Sequence, residues 1–252
     1  MDEVKSFKSS SRAKIITISE TDLEKRTGYY ITKRILDIFI SSSFLILLSP
    51  LLIIIALVIR LDSPGSPIFS QLRVGCKLRW KGFCYTKEIV PFVFYKFRTM
   101  YKDADESLHK EFTKAYIEND LAKMTSLQHG PVEEGEEYKL NNDNRVTRVG
   151  KFLRETSLDE LPQLFNVLKG DMSMVGPRPD LPYVIELYEP LHMRRLSTMQ
   201  GLTGLWQVTG RNISSFENFI KSDLEYIENQ SLWLDIKILL RTPLAIFNLK
   251  GK

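Results

Sequence analysis

The stretch FISSSFLILLSPLLIIIALVI (residues 39–59) decides how the chain is organised, because it is long and apolar enough to lie in a membrane. No charged residue occurs from Ile38 to Ile59, and one continuous helix over this run would be ~33 Å long at about 1.5 Å per residue. A core helix of a soluble protein is rarely so apolar on every side, although that alternative stays open. The composition favours a membrane-embedded helix.

Ser49-Pro50 interrupts this stretch near its middle. Proline lacks the backbone N–H, and its ring presses on the carbonyl of Ile46, which costs about 3 kcal/mol inside a water-exposed helix. The Ser49 hydroxyl can donate to a carbonyl three or four residues back, that of Ile46 or Leu45. We therefore expect a kink here, although straight membrane helices also tolerate a proline.

Basic residues flank the stretch on both sides, and positive charge marks the cytoplasmic side of a membrane segment. A helix that enters, turns at Ser49-Pro50 and leaves on the same face places both flanks in the cytosol. We therefore favour a re-entrant hairpin over a full span. The flanking cations are Lys33, Arg34, Arg60, Arg73, Lys77, Arg79 and Lys81.

The chain of 252 residues has a net charge of +4, which suits a protein that faces anionic lipid or phosphate-bearing substrates. Its two cysteines, Cys76 and Cys84, form no CxxC pair, and its three histidines are far apart in the sequence. Neither a disulfide framework nor a zinc site is expected, and a reducing cytosolic setting is the simpler interpretation.

We divide the chain into three parts and predict an α+β fold. Residues 1–32 form a polar lead-in, residues 33–61 form the re-entrant membrane helix hairpin, and residues 62–252 form a mostly helical cytosolic domain with a variable insertion at 102–142. A few short strands are expected, such as PIFSQLRVG (67–75) and FVFYKFRTM (92–100), with a hairpin excursion between them. The segment SLWLDIKILLRTPLAIF (231–247) predicts an amphipathic helix, which lies either on the membrane surface or against the core.

Asp159 and Glu160 are adjacent acids just before Pro162. Proline is comfortable only in the first turn of a helix, so a helix is predicted to begin near Leu158 or Asp159. Free N–H groups and the positive end of the helix dipole stabilise anions there, which suits a site that holds a metal ion and a phosphate. The alternative is a capping box from Ser157 to Glu160 without a chemical role.

The GPRP turn (residues 176–179) follows soon after the acid pair. Its two prolines fix the backbone around Arg178. A guanidinium held in this way is suited to bidentate recognition of phosphate or carboxylate. The alternative for Arg178 is a surface salt bridge in a rigid turn.

Several separated motifs, in order, resemble the bacterial polyprenyl-phosphate sugar-phosphate transferases, the small monotopic phosphoglycosyl transferases that start membrane glycan assembly. The resemblance runs roughly from Lys33 to Phe247. It rests on KRILDI (33–38), the central Ser49-Pro50, YKFRTM (95–100), SLDELPQLFNVLKGDMSMVGPRP (157–179), GLTGLWQVTGRN (201–212) and SLWLDIKILL (231–240).

The resemblance implies a re-entrant helix broken at Ser49-Pro50 and a catalytic domain on the cytosolic face of the bacterial inner membrane. It implies that Asp159 is the nucleophile, attacking the phosphorus next to the sugar of a UDP-sugar so that UMP leaves. Polyprenyl phosphate then attacks the phosphosugar-aspartyl intermediate. By the same resemblance Glu160 is the ligand of a Mg²⁺ cofactor.

Five basic residues also match the family's pattern. Arg178 is implied to bind the nucleotide diphosphate, and Arg154 matches a basic position just upstream of the acids. Lys96 and Arg98 match a basic pair that orients the lipid phosphate or the acids. Arg211 lies in a Gly-Arg-Asn turn that is structural or close to the substrate. Structural salt bridges remain the alternative for Arg178, Arg154, Lys96 and Arg98.

Two departures from the family pattern stand out. Met199-Gln200 replaces the usual basic residue and proline, which is expected to loosen that turn. The insertion at 102–142 is longer than in the smallest members, and it leaves a sugar-side lid, a dimer contact and a surface insertion all open.

The expected partners are a UDP-sugar, polyprenyl phosphate and membrane lipid, with no nucleic acid, while a homodimer stays open. Two other functions are weighed against phosphosugar transfer. One is a glycosyltransferase that moves only the sugar and releases UDP. The other is a non-catalytic membrane adaptor of a glycan-assembly complex.

Overall fold

The computed structural model describes residues 26–81, 84–103, 105, 107–128, 143–209 and 215–248. Helices and strands are both present and helices dominate, which confirms the α+β class. The helices are α1 (Thr27–Leu47), α2 (Ser49–Asp62), α3 (Ser107–Ile117), α4 (Leu121–Ser126), α5 (Arg148–Glu155), α6 (Gln163–Lys169), α7 (Pro182–Glu186), α8 (Pro190–Met193), α9 (Leu205–Thr209), α10 (Phe216–Glu228) and α11 (Leu232–Asn248). The strands are β1 (Ile68–Lys81), β2 (Cys84–Phe97), β3 (Ser173–Val175) and β4 (Gly201–Thr203), and 3₁₀ turns occur at Leu158–Glu160 and Arg194–Ser197.

The long apolar stretch forms two helices bent by 62° at a one-residue break. The Ser49 hydroxyl donates to the Ile46 carbonyl at 2.8 Å, and Pro50 lies in the first turn of α2, where its missing N–H costs no hydrogen bond. The predicted kink is therefore confirmed at its predicted place. Within the described residues, no single helix is long and apolar enough to cross a membrane, and α1 and α2 meet that test of length and composition only as a bent pair.

Helix α1 begins at Thr27, ahead of the expected boundary at Lys33. Its first turns belong to the folded region because they pack against it: Tyr30 is buried, and so is the Lys33 ammonium, which lies 2.8 Å from the Asp235 carboxylate on α11. The expected lead-in therefore stops short of residue 27.

Two polar residues one turn apart on α1 hold the elements that carry the acid pair and the GPRP turn. Arg34 donates to the carbonyls of Val167 and Leu168 at 2.6 and 2.7 Å, in the last turn of α6. Buried Asp37 accepts a hydrogen bond from the Met174 N–H of β3 at 2.9 Å. These bonds fix α1 to both elements.

The outward faces of α1, α2 and α11 are apolar. Contiguous exposed apolar surface on a protein marks a region that contacts a membrane or a partner. On α11 the buried side chains of Asp235 and Ile238 face the core, so this helix meets the core on one side and presents apolar residues on the other. The exposed apolar residues are Ile35, Phe39, Ile46, Leu47, Ile53, Ile54, Leu57, Leu61, Trp233, Leu240 and Leu244.

The two strands β1 and β2 form one antiparallel hairpin of 14 residues per strand, from the pair Ile68 and Phe97 to the pair Lys81 and Cys84. The expectation of short strands joined by an excursion is wrong in this part. The excursion continues the alternation of the flanking segments, as in Cys76 opposite Ile89, so pairing extends through it. Cys76 is a free, buried thiol.

Strands β3 and β4 form a parallel pair in which the backbones come very close. A Cβ added at Gly176 would lie 2.3 Å from the Met199 carbonyl oxygen, and one added at Gly201 would lie 2.1 Å from the Gly176 nitrogen. Only glycine fits at these two positions. They set the path of the chain into the GPRP turn.

Gln200, which stands at the position of the usual proline, does not leave its turn loose. Its buried side chain accepts a hydrogen bond from the Cys76 N–H at 2.5 Å and donates to the Arg195 carbonyl at 3.2 Å. The expected loosening is wrong, because these bonds tie the turn to the hairpin.

The described part of the insertion is packed and not a loose surface segment. Phe112 and Ala115 of α3 are buried with Met124 of α4, and the ring of Tyr116 contacts that of Phe216 on α10 at 5.7 Å between centroids. Residues 129–142 of the insertion lie outside the described residues.

Candidate active site

The acid pair lies in the 3₁₀ turn Leu158–Glu160, which precedes α6. The expectation that the two acids lie in the first turn of that helix is therefore wrong. The alternative of a capping box is wrong: Ser157 has a φ of +56°, and its side chain makes no capping hydrogen bond to a described residue. Leu158 and Leu161 pack against apolar residues of α2 and so anchor the turn from both sides. The two carboxylates are thereby released from any capping role.

Asp159 is half-buried, and its carboxylate has no hydrogen-bond or ion-pair partner within the described residues. Burial, and then the neighbouring Glu160, raise its pKa to about 6, against the opposing effect of Lys96, Arg178 and Arg154. Such a carboxylate is more basic than usual and still mostly ionised at neutral pH.

Glu160 and Arg178 form the central ion pair of the site. Arg178 Nη2 lies 2.5 Å from Glu160 Oε1, and this carboxylate raises the pKa of Arg178. This contact joins the acid pair to the GPRP turn, so the salt bridge that was the alternative role of Arg178 is made with the acid pair itself.

The GPRP turn is held from behind by a buried group that we call the Arg195 network: Arg195, Asp180, Tyr188 and Asp223. Arg195 is only 1% exposed. It donates to Asp223 at 2.7 Å, to Asp180 and to the Tyr188 hydroxyl, and its Nη2 donates to the Arg178 carbonyl at 3.1 Å. The backbone of Arg178 is therefore fixed by a fully bonded guanidinium.

Lys96 and Arg154 lie close enough to Asp159 to lower its pKa electrostatically. Arg154 Nε donates to the Thr99 hydroxyl at 2.9 Å, and the Lys96 ammonium lies 5.2 Å from the centre of the Phe69 ring. Burial, followed by the cations of Arg73 and Arg154, lowers the pKa of Lys96 to about 8. Neither residue forms a salt bridge to any carboxylate of the described residues.

Arg98 does not join the cations near Asp159. Its buried guanidinium donates to the Ser63 carbonyl at 2.6 Å and to the Pro64 carbonyl at 2.9 Å, after the end of α2. Gly65, with a φ of +118°, leaves room for it. The structural alternative therefore fits Arg98, which fixes α2 to β2. Arg211 lies outside the described residues.

Two residues near the acid pair were missed by sequence reasoning. Arg73 on β1 was interpreted as a flanking charge, and His109 on α3 lies in the insertion, whose role the sequence left open. Desolvation, and then the cations of Arg73 and Lys96, lower the pKa of His109 to about 4, so its imidazole is neutral. No spacing in the sequence connects either residue to Asp159, because only the hairpin and the packing of α3 bring them together.

The acid pair fits a metal ion that takes most of its ligands from substrate and water. No group of three or more candidate metal ligands occurs within the described residues, so a site built from protein ligands alone is not indicated there. Mg²⁺ is typically held by one or two carboxylates together with substrate phosphates and water, and Asp159 and Glu160 can supply those carboxylates.

An apolar groove of about 680 Å³ adjoins the acid turn. It begins at Ser49, at the break between α1 and α2, and reaches Pro162 and Phe165 at the start of α6. Lys169 is the cationic residue on its lining, together with apolar side chains of α2 and the hairpin. The groove therefore connects the bent helix pair to the region just after Asp159 and Glu160.

Known proteins share this chain's sequence over most of its length. A family model described as bacterial sugar transferase matches residues 28–249. The chain is 43% identical over 220 residues to the galactosyl transferase CpsE of Streptococcus agalactiae, covering 85% of this chain and 42% of that relative. It is 38% identical over 232 residues to the undecaprenyl-phosphate galactose phosphotransferase of Salmonella typhimurium, covering 92% and 44%.

The exopolysaccharide production protein ExoY of Rhizobium meliloti is 36% identical over 219 residues, which cover 87% of each chain. The chain thus spans less than half the length of the first two relatives and most of the length of the third. The acid pair and the GPRP turn lie inside the matched region. On these matches, the chain belongs to the bacterial sugar transferase family.

Proposed function

We propose that this protein transfers a sugar 1-phosphate from a UDP-sugar to polyprenyl phosphate, undecaprenyl phosphate in particular, and releases UMP. The name of the Salmonella relative, an undecaprenyl-phosphate galactose phosphotransferase, supports this reaction. We place this reaction at the first membrane step of surface glycan biosynthesis, and the name of the Rhizobium relative, an exopolysaccharide production protein, supports a role in making such a glycan. The observation that carries the proposal is Asp159, a carboxylate of raised pKa without a bonding partner within the described residues.

In the first step an oxygen of the Asp159 carboxylate attacks the phosphorus that carries the sugar. The bond from this phosphorus to the bridging oxygen breaks, and UMP leaves with the electron pair. A phosphosugar-aspartyl intermediate remains. In the second step an oxygen of polyprenyl phosphate attacks the same phosphorus, the Asp159 carboxylate leaves, and a polyprenyl-diphosphate sugar forms. The covalent route divides one difficult transfer into two easier ones.

The cations of the site allow an anionic nucleophile to approach an anionic diphosphate. Lys96, Arg154 and Arg178 act electrostatically on Asp159, and only Arg178 is paired with a carboxylate of the described residues. Positive charge in excess of the acids favours the bound diphosphate and the charge that develops on UMP.

Glu160, with Asp159 beside it, would hold Mg²⁺ in this site. The ion, when bound, neutralises phosphate charge and helps to align the diphosphate. Arg178 keeps the Glu160 carboxylate in a fixed position through their ion pair.

The acceptor would reach the site along the apolar groove beside the bent helix pair. We propose that α1 and α2 form a re-entrant segment, which makes the protein monotopic on the cytosolic face of the bacterial inner membrane. Arg60 lies at the end of α2 and Lys33 near the start of α1, and charge at both ends favours one side of the membrane. The groove would then place a polyprenyl chain next to Pro162, close to the acid pair.

The test is nucleotide release by the purified protein with Mg²⁺, undecaprenyl phosphate and a panel of UDP-sugars. We expect UMP with at least one sugar. Asp159→Asn is expected to lower turnover by about a thousandfold or more, because the amide is no nucleophile at phosphorus. Without acceptor, the wild-type protein should gain the mass of one sugar phosphate.

The control variant is Glu155→Gln, which removes an exposed acid at the end of α5 and should keep wild-type turnover. Release of UDP would show a glycosyltransferase. No release with any sugar would favour the adaptor, and full turnover by Asp159→Asn would exclude the aspartyl intermediate.

A further inference from the structure

Arg73 on β1 lies directly beside the GPRP turn. Its Nη1 donates to the Pro179 carbonyl at 3.1 Å, and the N–H of the next residue, Val74, donates to the Asp180 carbonyl at 2.9 Å. Its guanidinium also lies 5.2 Å from the centre of the buried Phe94 ring, which packs the group against the hairpin. The hairpin thereby holds Arg73 next to the residue that follows Arg178.

The charge of Arg73 is not balanced by the surrounding protein. Among the described residues it pairs with no carboxylate, and its buried Nε has no hydrogen-bond partner. The two carboxylates that act on Arg73 electrostatically, Asp180 and then Glu160, are already paired with Arg195 and Arg178. A half-buried cation beside a second cation is unfavourable unless an anion joins them.

Burial, and then the charge of Arg178, lower the pKa of Arg73 to about 10, so the guanidinium still carries its charge at neutral pH. A guanidinium has five N–H donors in a planar fork that matches phosphate. Two Arg73 nitrogens donate to described residues, Nη1 to Pro179 and Nη2 to Gln71 at 3.1 Å, which leaves donors for a ligand.

We propose that Arg73 is a substrate-binding residue that donates to a phosphate oxygen, with Arg178 as its partner from the GPRP turn. The proposal rests on the proposed function, which supplies two sources of that phosphate: the diphosphate of the UDP-sugar and the phosphate of the polyprenyl acceptor. The carrying feature is two neighbouring guanidinium groups at the GPRP turn, of which only Arg178 forms an ion pair with a carboxylate of the described residues.

The test variant is Arg73→Gln, which keeps an amide donor for the Pro179 carbonyl but removes the charge. UDP affinity is measured by titration calorimetry in the presence of Mg²⁺, and the KM for undecaprenyl phosphate is measured by UMP release. We expect a loss of about 10- to 100-fold in one of the two, the range of a charge-assisted hydrogen bond. A loss of UDP affinity would show that Arg73 binds the diphosphate of the donor. A rise in the KM for undecaprenyl phosphate would show that it binds the phosphate of the acceptor.

Arg79→Gln is the matched control, because Arg79 lies on the same strand but is exposed and paired with Glu88 at 2.6 Å. It should leave both constants within about twofold. Thermal unfolding separates binding from structure: an unbalanced cation costs stability, so Arg73→Gln should melt at the wild-type temperature or above it.

Wild-type constants in Arg73→Gln, or a lower melting temperature that accounts for its loss, would overturn the role of Arg73. Those outcomes leave the proposed function untouched as long as the wild-type protein releases UMP. Absence of UMP release from the wild-type protein would overturn the proposed function instead.

Discussion

Two groups of charges meet at the GPRP turn, and they are built in opposite ways. Behind the turn, the Arg195 network joins one guanidinium to two carboxylates and a tyrosine hydroxyl, all within hydrogen-bond distance. In front of it, the acid pair faces more cations than it can neutralise, and Lys96 forms no salt bridge within the described residues.

This difference distinguishes charges that stabilise the structure from charges that are available for chemistry. A buried charge with every partner in place fixes the backbone, and its own ligand capacity is exhausted. Charged groups without an ion-pair partner in a partly buried cluster raise or lower each other's pKa, and they can still bind a ligand. Two nearby arginines, Arg195 and Arg178, therefore have different roles although the Arg195 guanidinium donates a hydrogen bond to the Arg178 carbonyl.

The largest effect is expected when the balanced group is broken. Arg195→Met leaves Asp180 and Asp223 without their buried counterion and should lower the free energy of unfolding by about 3–5 kcal/mol. Chemical denaturation measures this loss. The control is Arg194→Met, which removes an exposed arginine paired with Glu228 at 3.1 Å and should cost less than about 1 kcal/mol. Equal losses in the two variants would contradict the contrast between the two groups.

A smaller effect is expected from pH on the unbalanced group. The first half-reaction needs Asp159 ionised and Lys96 protonated. Its kcat/KM for the UDP-sugar should therefore fall about tenfold per pH unit below the Asp159 pKa of about 6 and again above the Lys96 pKa of about 8. The UMP burst without acceptor gives this profile.

Lys96→Arg sharpens the assignment of the alkaline limb, because arginine keeps its charge at every pH in this range. We expect the falling limb to move to higher pH while the acid limb stays in place. An unchanged alkaline limb in this variant would exclude Lys96 as its source.

The smallest effect is expected on the stability of Asp159→Asn, which should become more stable although it loses activity. The pKa of Asp159 is raised to about 6 in the folded protein, so ionisation of this carboxylate disfavours folding as pH rises from the unfolded value near 4 through 6. Asp159→Asn removes this cost and should raise the free energy of unfolding by about 1 kcal/mol at pH 7.5. Thermal unfolding at pH 7.5 and pH 4 checks it: the gain should vanish at pH 4, and a loss at pH 7.5 would contradict it.

Local chemistry was enough to predict part of this molecule. Ser49-Pro50 gave the break because proline and a back-bonding hydroxyl act within one turn of helix. The adjacent acids and the proline-flanked Arg178 were recognised as candidates from their neighbours in the sequence, and the Glu160–Arg178 ion pair joins them in the structure. These features needed no knowledge of tertiary contacts.

The rest depends on segments that meet only in the folded chain. Arg98 resembled a site residue, yet it binds backbone carbonyls after α2, more than thirty residues earlier in the sequence. Gln200 looked like a weakened turn because its partner, the Cys76 N–H, is on a distant strand. Arg73 lacked any motif that ties it to the acid pair. In each case the deciding contact joins segments that are far apart in the chain, and local patterns in a single sequence do not predict such contacts.

The spacing of Arg34 and Asp37 on α1 has a consequence for any attempt to exchange or remove the anchor. Three residues of helix advance ~4.5 Å, so the spacing of these two residues along α1 sets the separation of the α6 end from β3. A foreign segment could replace the remainder of α1 beyond Ser41, whose hydroxyl donates to the Asp37 carbonyl, without disturbing that spacing. A soluble form of the protein would have to retain the first three turns of α1, because cutting at the start of the apolar run would separate the acid pair from the support that aligns it with Arg178.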